Sequence, residues 1–217
     1  MTPFLLPSGR SFTTEGALRK LALRASLPGA FLFDRAAQAL RLARAQAIPL
    51  EARLDLAFSA SWLVNSPAPS TTLHAWSKSQ RDVLCALASR LEGGETLDEM
   101  TLGAVAEAVE LLASALGERS SQGAEAVSKL LALVVPEGMP LLPEPACRFL
   151  LGEAIPERSG ARFVACLPVF WAATDALYMD LVDVAKEYPG PPLDAAQVLD
   201  RLLWFDSEGY RHFEKTG

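Results

Sequence analysis

The sequence predicts an all-α protein, a compact bundle of about eight to nine helices around a long central helix in the C-terminal half. Three observations support this class. Leu, Ala, Glu and Arg are abundant, prolines and glycines cluster between segments, and the alternation of β-branched residues typical of strands is almost absent. With 217 residues, 50% apolar and 21% charged, the chain can bury a substantial core and does not have the composition of a disordered protein.

The first half of the chain contains five predicted helices. The clearest is "TLGAVAEAVELLASALG", where apolar residues recur at steps of three and four. Thr101 can cap its start and Gly117 can end it, whereas Glu107 and Glu110 fall on its outer face, where exposure to solvent explains them. The other four predicted helices cover about residues 15–25, 30–46, 49–64 and 72–91.

The second half contains four predicted helices, and one is much longer than the rest. They cover about residues 121–135, 145–151, 161–188 and 194–213. The 161–188 segment carries an apolar stripe that includes Phe163, Leu167 and Phe170, which predicts a central buried helix. Pro168 should kink this helix or delay its start, and Asp194 should cap the final helix.

The helices are predicted to form one domain over residues 1–217. Two lobes joined near residues 92–96 are the alternative, because Gly93 and Gly94 make this the most flexible junction in the sequence.

Charge is unevenly distributed along the chain. Residues 1–53 hold eight Lys and Arg against three acidic residues, a net charge of +5. Because the whole chain has a net charge of −6, the remaining residues have a net charge of −11. This basic quarter could dock on the protein's own acidic surface or bind an anionic partner such as nucleic acid. In the second case Arg35, Arg41 and Arg44, on one predicted helix, would contact phosphates.

The sequence predicts neither a metal site nor a cofactor. Cys85, Cys147 and Cys166 are widely spaced in apolar contexts, which favours buried free thiols. The two histidines, His74 and His212, are not at metal-ligand spacing with these cysteines.

No segment is predicted to target or cross a membrane. The longest stretch without a charged residue or histidine, residues 56–73, contains two prolines and several polar residues, and the first residues lack the basic start of a signal peptide. We therefore expect a cytoplasmic protein with no membrane contact.

Lys129 is the candidate catalytic residue, because the motifs GxGxxG, GxxxxGK[ST], GxSxG and HExxH are all absent. Two interpretations are open. Lys129 lies one helical turn after Glu125, the favourable order for a surface ion pair. Alternatively, apolar neighbours disfavour its ammonium form, and the free amine attacks an electrophilic carbon with the help of a nearby carboxylate.

The segment around Lys129 resembles bacterial helical proteins of the 8-oxoguanine DNA glycosylase-like kind. The resemblance is carried by Ser128, Lys129, Leu130 and Leu131, by Pro136 and Pro140 in the 128–152 segment, and by "LDRLLWF" at 199–205. It implies that Lys129 is the nucleophile and that an aspartate follows the second proline. This chain has "LLPEP" there, so Glu144 would supply the carboxylate.

Three functions are compatible with these features, and they leave open whether the protein is an enzyme. The first is a non-catalytic interaction or accessory protein that binds a protein partner or a second copy of itself, since the chain is rich in apolar residues. The alternative is a DNA-binding, glycosylase-like base-excision enzyme with a degenerate site. The third is a protein that holds a small apolar ligand between its helices.

Overall fold

The computed structural model describes residues 4–5, 9, 11–63, 78–92, 99–115, 120–136, 138–152 and 155–206. Ten helices and one pair of two-residue strands lie within these ranges, which confirms the all-α class. The strands β1 (Phe4–Leu5) and β2 (Ser11–Phe12) pair antiparallel, with Phe4 opposite Phe12. The helices are α1 Thr14–Ala25, α2 Pro28–Ala45, α3 Leu50–Leu63, α4 Lys78–Glu92, α5 Glu99–Ala115, α6 Ser120–Val134, α7 Glu144–Leu151, α8 Ser159–Ala176, α9 Tyr178–Glu187 and α10 Ala195–Trp204.

The prediction of a single helix over 161–188 is wrong, because this segment forms two helices. α8 and α9 meet at Leu177 with a bend of 75°. α8 continues through Pro168, so the break is not at the proline. One turn before the break, the Thr174 hydroxyl donates to the Phe170 carbonyl at 2.9 Å, a contact that competes with the backbone ladder and often bends helices.

The core lies around α6 and α8. α6 contacts six other helices, and its residues from Leu130 to Val134 are all buried. α8 keeps the central position predicted for this segment, since Phe163, Leu167 and Phe170 are fully buried. Cys147 and Cys166 are buried free thiols as expected, whereas Cys85 is partly exposed.

α5 and α8 approach each other closely at Gly160. A Cβ at this position would lie 1.9 Å from the carbonyl oxygen of Ala106 on α5, so only glycine fits. The Gly160 backbone N–H donates to the Glu110 carboxylate at 2.9 Å. Glu110 is therefore not simply a solvated outer-face residue, because it satisfies an open donor in the first turn of α8.

Two helix ends show how local sequence sets the boundaries. Asp194 forms a full capping box with Gln197 at the start of α10, as its sequence predicted. α2 ends in a Schellman motif, in which the N–H groups of Ala47 and Ile48 bond the carbonyls of Arg44 and Ala43. Ala47 has a φ of 57° there, a conformation that glycine adopts more easily.

The suggested junction between two lobes, with Gly93 and Gly94, lies outside the described residues, as do His74, Gly117 and His212.

Candidate functional site

Lys129 lies on α6 and is paired within its own helix. Its ammonium group forms an ion pair with the Glu125 carboxylate one turn earlier, and the Lys129 side chain is 22% exposed. This is the arrangement that the i, i+4 spacing indicated.

Glu144 is the first residue of α7 and pairs with a different cation. Its carboxylate accepts a hydrogen bond from Arg148 at 2.7 Å, and this bond lowers the pKa of Glu144. Among the ion pairs and hydrogen bonds of the described residues, none joins Glu144 to Lys129. The two candidate catalytic residues thus have separate partners.

The three candidate phosphate-binding arginines on α2 also contact groups of the protein itself. Arg35 is exposed and donates to Gln38 at 3.4 Å, while Arg44 lies 3.6 Å from Glu92. Arg41 donates to the Gln197 amide oxygen at 2.7 Å. The Arg41 and Arg44 contacts favour the interpretation in which the basic quarter docks on the protein's own later residues, whereas the Arg35 contact lies within α2.

Ser128 has a structural role that the sequence did not reveal. It is fully buried, and its hydroxyl accepts a hydrogen bond from the Leu142 N–H at 3.0 Å and donates one to the Glu125 carbonyl at 2.9 Å. The Leu141 N–H donates to Asp200 on α10 at 2.6 Å. The proline-rich segment before α7 is therefore held between α6 and α10 through its backbone.

Arg24 of α1, Asp34 of α2 and Arg201 of α10 form a buried charged cluster. Arg24 donates to both Asp34 oxygens, at 3.0 and 3.2 Å, and Arg201 donates to one of them at 2.8 Å. Burial raises the pKa of Asp34, but the two guanidinium groups outweigh this and lower it overall. The cluster joins the first helix to the last described one.

Asp200 lies beside this cluster. The residue is partly buried, and the burial of its carboxyl group raises its pKa to about 6 against the attraction of Arg24 and Arg201.

Next to the charged cluster is an open cleft of about 230 Å³ between α2, the turn at 191–193 and α10, called the α2–α10 cleft below. Its lining includes Asp34, Arg41, Leu42, Pro191, Pro192 and Arg201. Apolar side chains form most of the walls, and Leu42 is 59% exposed. The cleft is thus a partly apolar site with two guanidinium groups.

The sequence contains one local signal for the buried charged cluster. Arg24 follows Ala17 and Leu21 at steps of four and three, so it lies on the buried face of α1. A charge on a core-facing position indicates a buried partner, although the pattern does not identify that partner.

Comparison of the chain with family models, curated proteins and solved structures finds no match. The glycosylase-like resemblance is thus carried by the quoted residues alone.

Within the described ranges, no three His, Cys, Asp or Glu side chains are arranged to hold a metal ion. No single described helix has the length and hydropathy of a membrane span, and α8 and α9 meet those criteria only as a bent pair.

Proposed function

We propose that this chain is a non-catalytic helical interaction protein, an accessory or regulatory subunit located in the cytoplasm. The α2–α10 cleft is its contact surface for a protein partner or a second copy of itself. The observation that carries the proposal is an open, mainly apolar cleft with the exposed Leu42 at its edge. Exposed apolar surface rimmed by polar groups is characteristic of interaction sites.

The size of the cleft favours a protein side chain over a small-molecule ligand. Clefts that enclose a drug-sized ligand hold about 300–1,000 Å³. At about 230 Å³, the α2–α10 cleft suits one or two inserted side chains.

The candidate catalytic residues also favour interaction over base excision. A lysine nucleophile needs a free amino group with a supporting carboxylate nearby, whereas Lys129 is paired with Glu125 and Glu144 is paired with Arg148. Arg41 and Arg44 already contact Gln197 and Glu92 on other helices, and a DNA phosphate would have to compete with these contacts.

The experiment compares the wild-type protein with Leu42→Lys and Leu111→Lys. Both leucines are exposed, at 59% and 67%, but Leu111 lies on α5 and does not line the cleft. Size-exclusion chromatography with light scattering detects self-association, and cross-linking with mass spectrometry identifies a partner and its contact residues in lysate from the source cells.

We expect either a dimer or a partner that cross-links beside α2. Leu42→Lys should lower the affinity of this interaction at least about tenfold, because a charge buried in an apolar contact costs more than about 1.4 kcal/mol. Leu111→Lys should keep the interaction. A strictly monomeric protein that captures no partner and shows measurable turnover would rule out the proposal.

A further inference from the structure

The floor of the α2–α10 cleft has an unused hydrogen-bond donor. Arg201 is 7% exposed and lines the cleft. Its two terminal nitrogens donate to the Gln197 carbonyl at 3.3 Å and to Asp34 at 2.8 Å, but its Nε is buried without a partner. Asp34 has little remaining capacity, because both of its oxygens already accept hydrogen bonds from Arg24. A buried donor in this state is uncommon, and an acceptor that enters the cleft beside Arg201 can satisfy it.

Arg41 provides a second cation nearer the mouth. Its side chain is 34% exposed, and its contacts with the Pro192 carbonyl and the Asp194 carboxylate are long, at 3.3 and 3.4 Å. Bonds of this length are weak, so an incoming acceptor can replace them while the bond to Gln197 remains.

The donors lie beside the apolar walls formed by Leu42, Pro191 and Pro192. A matching ligand therefore combines a hydrogen-bond acceptor with an adjacent apolar group. A carboxylate fits better than a neutral acceptor, because charge-assisted bonds to a guanidinium are about twice as strong as neutral ones and the planar fork matches both carboxylate oxygens.

We propose, on the basis of the interaction function above, that the α2–α10 cleft binds an Asp or Glu side chain of a partner protein and that an apolar neighbour of this residue packs against Leu42. Arg41 and Arg201 contact the carboxylate. The partner thus presents a short acidic and apolar motif.

A peptide array tests this inference directly. The probes are immobilised peptides in which Asp or Glu stands beside Leu, Phe or Trp, each matched with a peptide that carries Asn or Gln instead. The folded full-length protein is applied as wild type, as Arg41→Gln and as Arg148→Gln. Arg148 is an exposed arginine on α7 whose side chain does not line the cleft, so its variant controls for general loss of positive charge.

We expect acidic peptides to bind at least about tenfold more tightly than their amide counterparts, as one charged hydrogen bond of about 1.5–3 kcal/mol implies. Arg41→Gln should remove this preference, and Arg148→Gln should retain it. Equal binding of acidic and amide peptides, an unchanged preference in Arg41→Gln, or no binding by any peptide would overturn the inference. The proposed function would still stand after these results if the wild-type protein captured a partner and Leu42→Lys weakened that capture.

Discussion

Gly160 and Ala106 mark the closest contact between α5 and α8, where a single added methyl group would overlap a carbonyl oxygen. We expect Gly160→Ala to lower the free energy of unfolding by about 2 kcal/mol or more, because the backbones must separate to admit the methyl group. Urea unfolding followed by circular dichroism measures this.

The control is Gly103→Ala on α5, where an added Cβ meets no atom within 4 Å. It should be neutral or stabilising by up to about 1 kcal/mol, since alanine favours the helix. Equal losses in the two variants would contradict the close packing described for α8.

Asp34 holds two buried cations, so its replacement should be costly. Asp34→Asn keeps the shape but removes the carboxylate that pairs with both Arg24 and Arg201, and we expect a loss of about 3–5 kcal/mol. Asp183→Asn removes an exposed ion pair with Lys186 and should cost less than about 1 kcal/mol. Denaturant titration of both variants at one pH gives the comparison, and a small loss in Asp34→Asn would show that the cluster is solvated.

Asp200 should make the protein less stable as the pH rises from about 4 to about 6. Its pKa is about 6 in the folded state and about 3.9 in an unfolded chain, so the folded state binds the proton more tightly. Its contribution is therefore fully present below pH 4 and is lost as the pH rises through 6, a change of about 3 kcal/mol, and stability does not change further above that pH on account of Asp200.

Asp200→Asn cannot titrate, and its amide oxygen can still accept the Leu141 N–H. The stability difference between this variant and the wild type should thus grow between pH 4 and 6, which unfolding curves at several pH values can measure. A difference that does not change with pH would show that Asp200 titrates normally.

Ser128 and Lys129 are adjacent, yet their replacement should reduce stability to different extents. Ser128→Ala leaves the buried Leu142 N–H without its acceptor and should cost about 1–3 kcal/mol. Lys129→Met removes a partly exposed ion pair with Glu125 and should cost less than about 1 kcal/mol. Thermal and urea unfolding of the two variants test this pair of expectations.

The wild-type protein and Lys129→Met can together test the glycosylase alternative. Borohydride treatment with DNA containing 8-oxoguanine should trap no adduct on Lys129, because its side-chain nitrogen is paired with Glu125 and the carboxylate of Glu144 is paired with Arg148. A trapped adduct that disappears in Lys129→Met would establish the lysine as a nucleophile.

Ala47 adopts a left-handed conformation at the end of α2, with a φ of 57°. Ala47→Gly should therefore stabilise the protein by up to about 1 kcal/mol, as glycine adopts this conformation without steric cost. Ala39→Gly, at an exposed position within α2, should destabilise by about 0.5–1 kcal/mol. Differential scanning calorimetry can resolve these opposite shifts, and destabilisation by Ala47→Gly would argue against the Schellman motif.

The helices were predictable because their signals are local. Apolar steps of three and four residues gave the segments, and the Asp194 cap and the Glu125–Lys129 pair lie within one or two turns. The break at Leu177 was missed because the apolar stripe continues across it, and periodicity does not report a change in helix direction.

The buried cluster and the cleft were not predictable from local patterns. Arg201 and Asp34 are separated by 167 positions in the chain, and Arg41 and Gln197 by 156. Such pairs depend on how the helices are arranged in space, which sequence spacing does not encode. Short motifs therefore pointed to Lys129 and Glu144, whose partners lie within the same helix.

The ion pair between Lys20 and Asp206 spans 186 positions and ties α1 to the end of α10. During synthesis, the ribosome must add almost all of the described chain before α1 meets its final neighbours. The part of α1 that packs against α9 and α10 thus stays exposed while the central helices are produced. Completion of the described fold is consequently a late event that follows translation of α10, and a nascent chain halted before α10 would expose this part of α1 to chaperones and proteases.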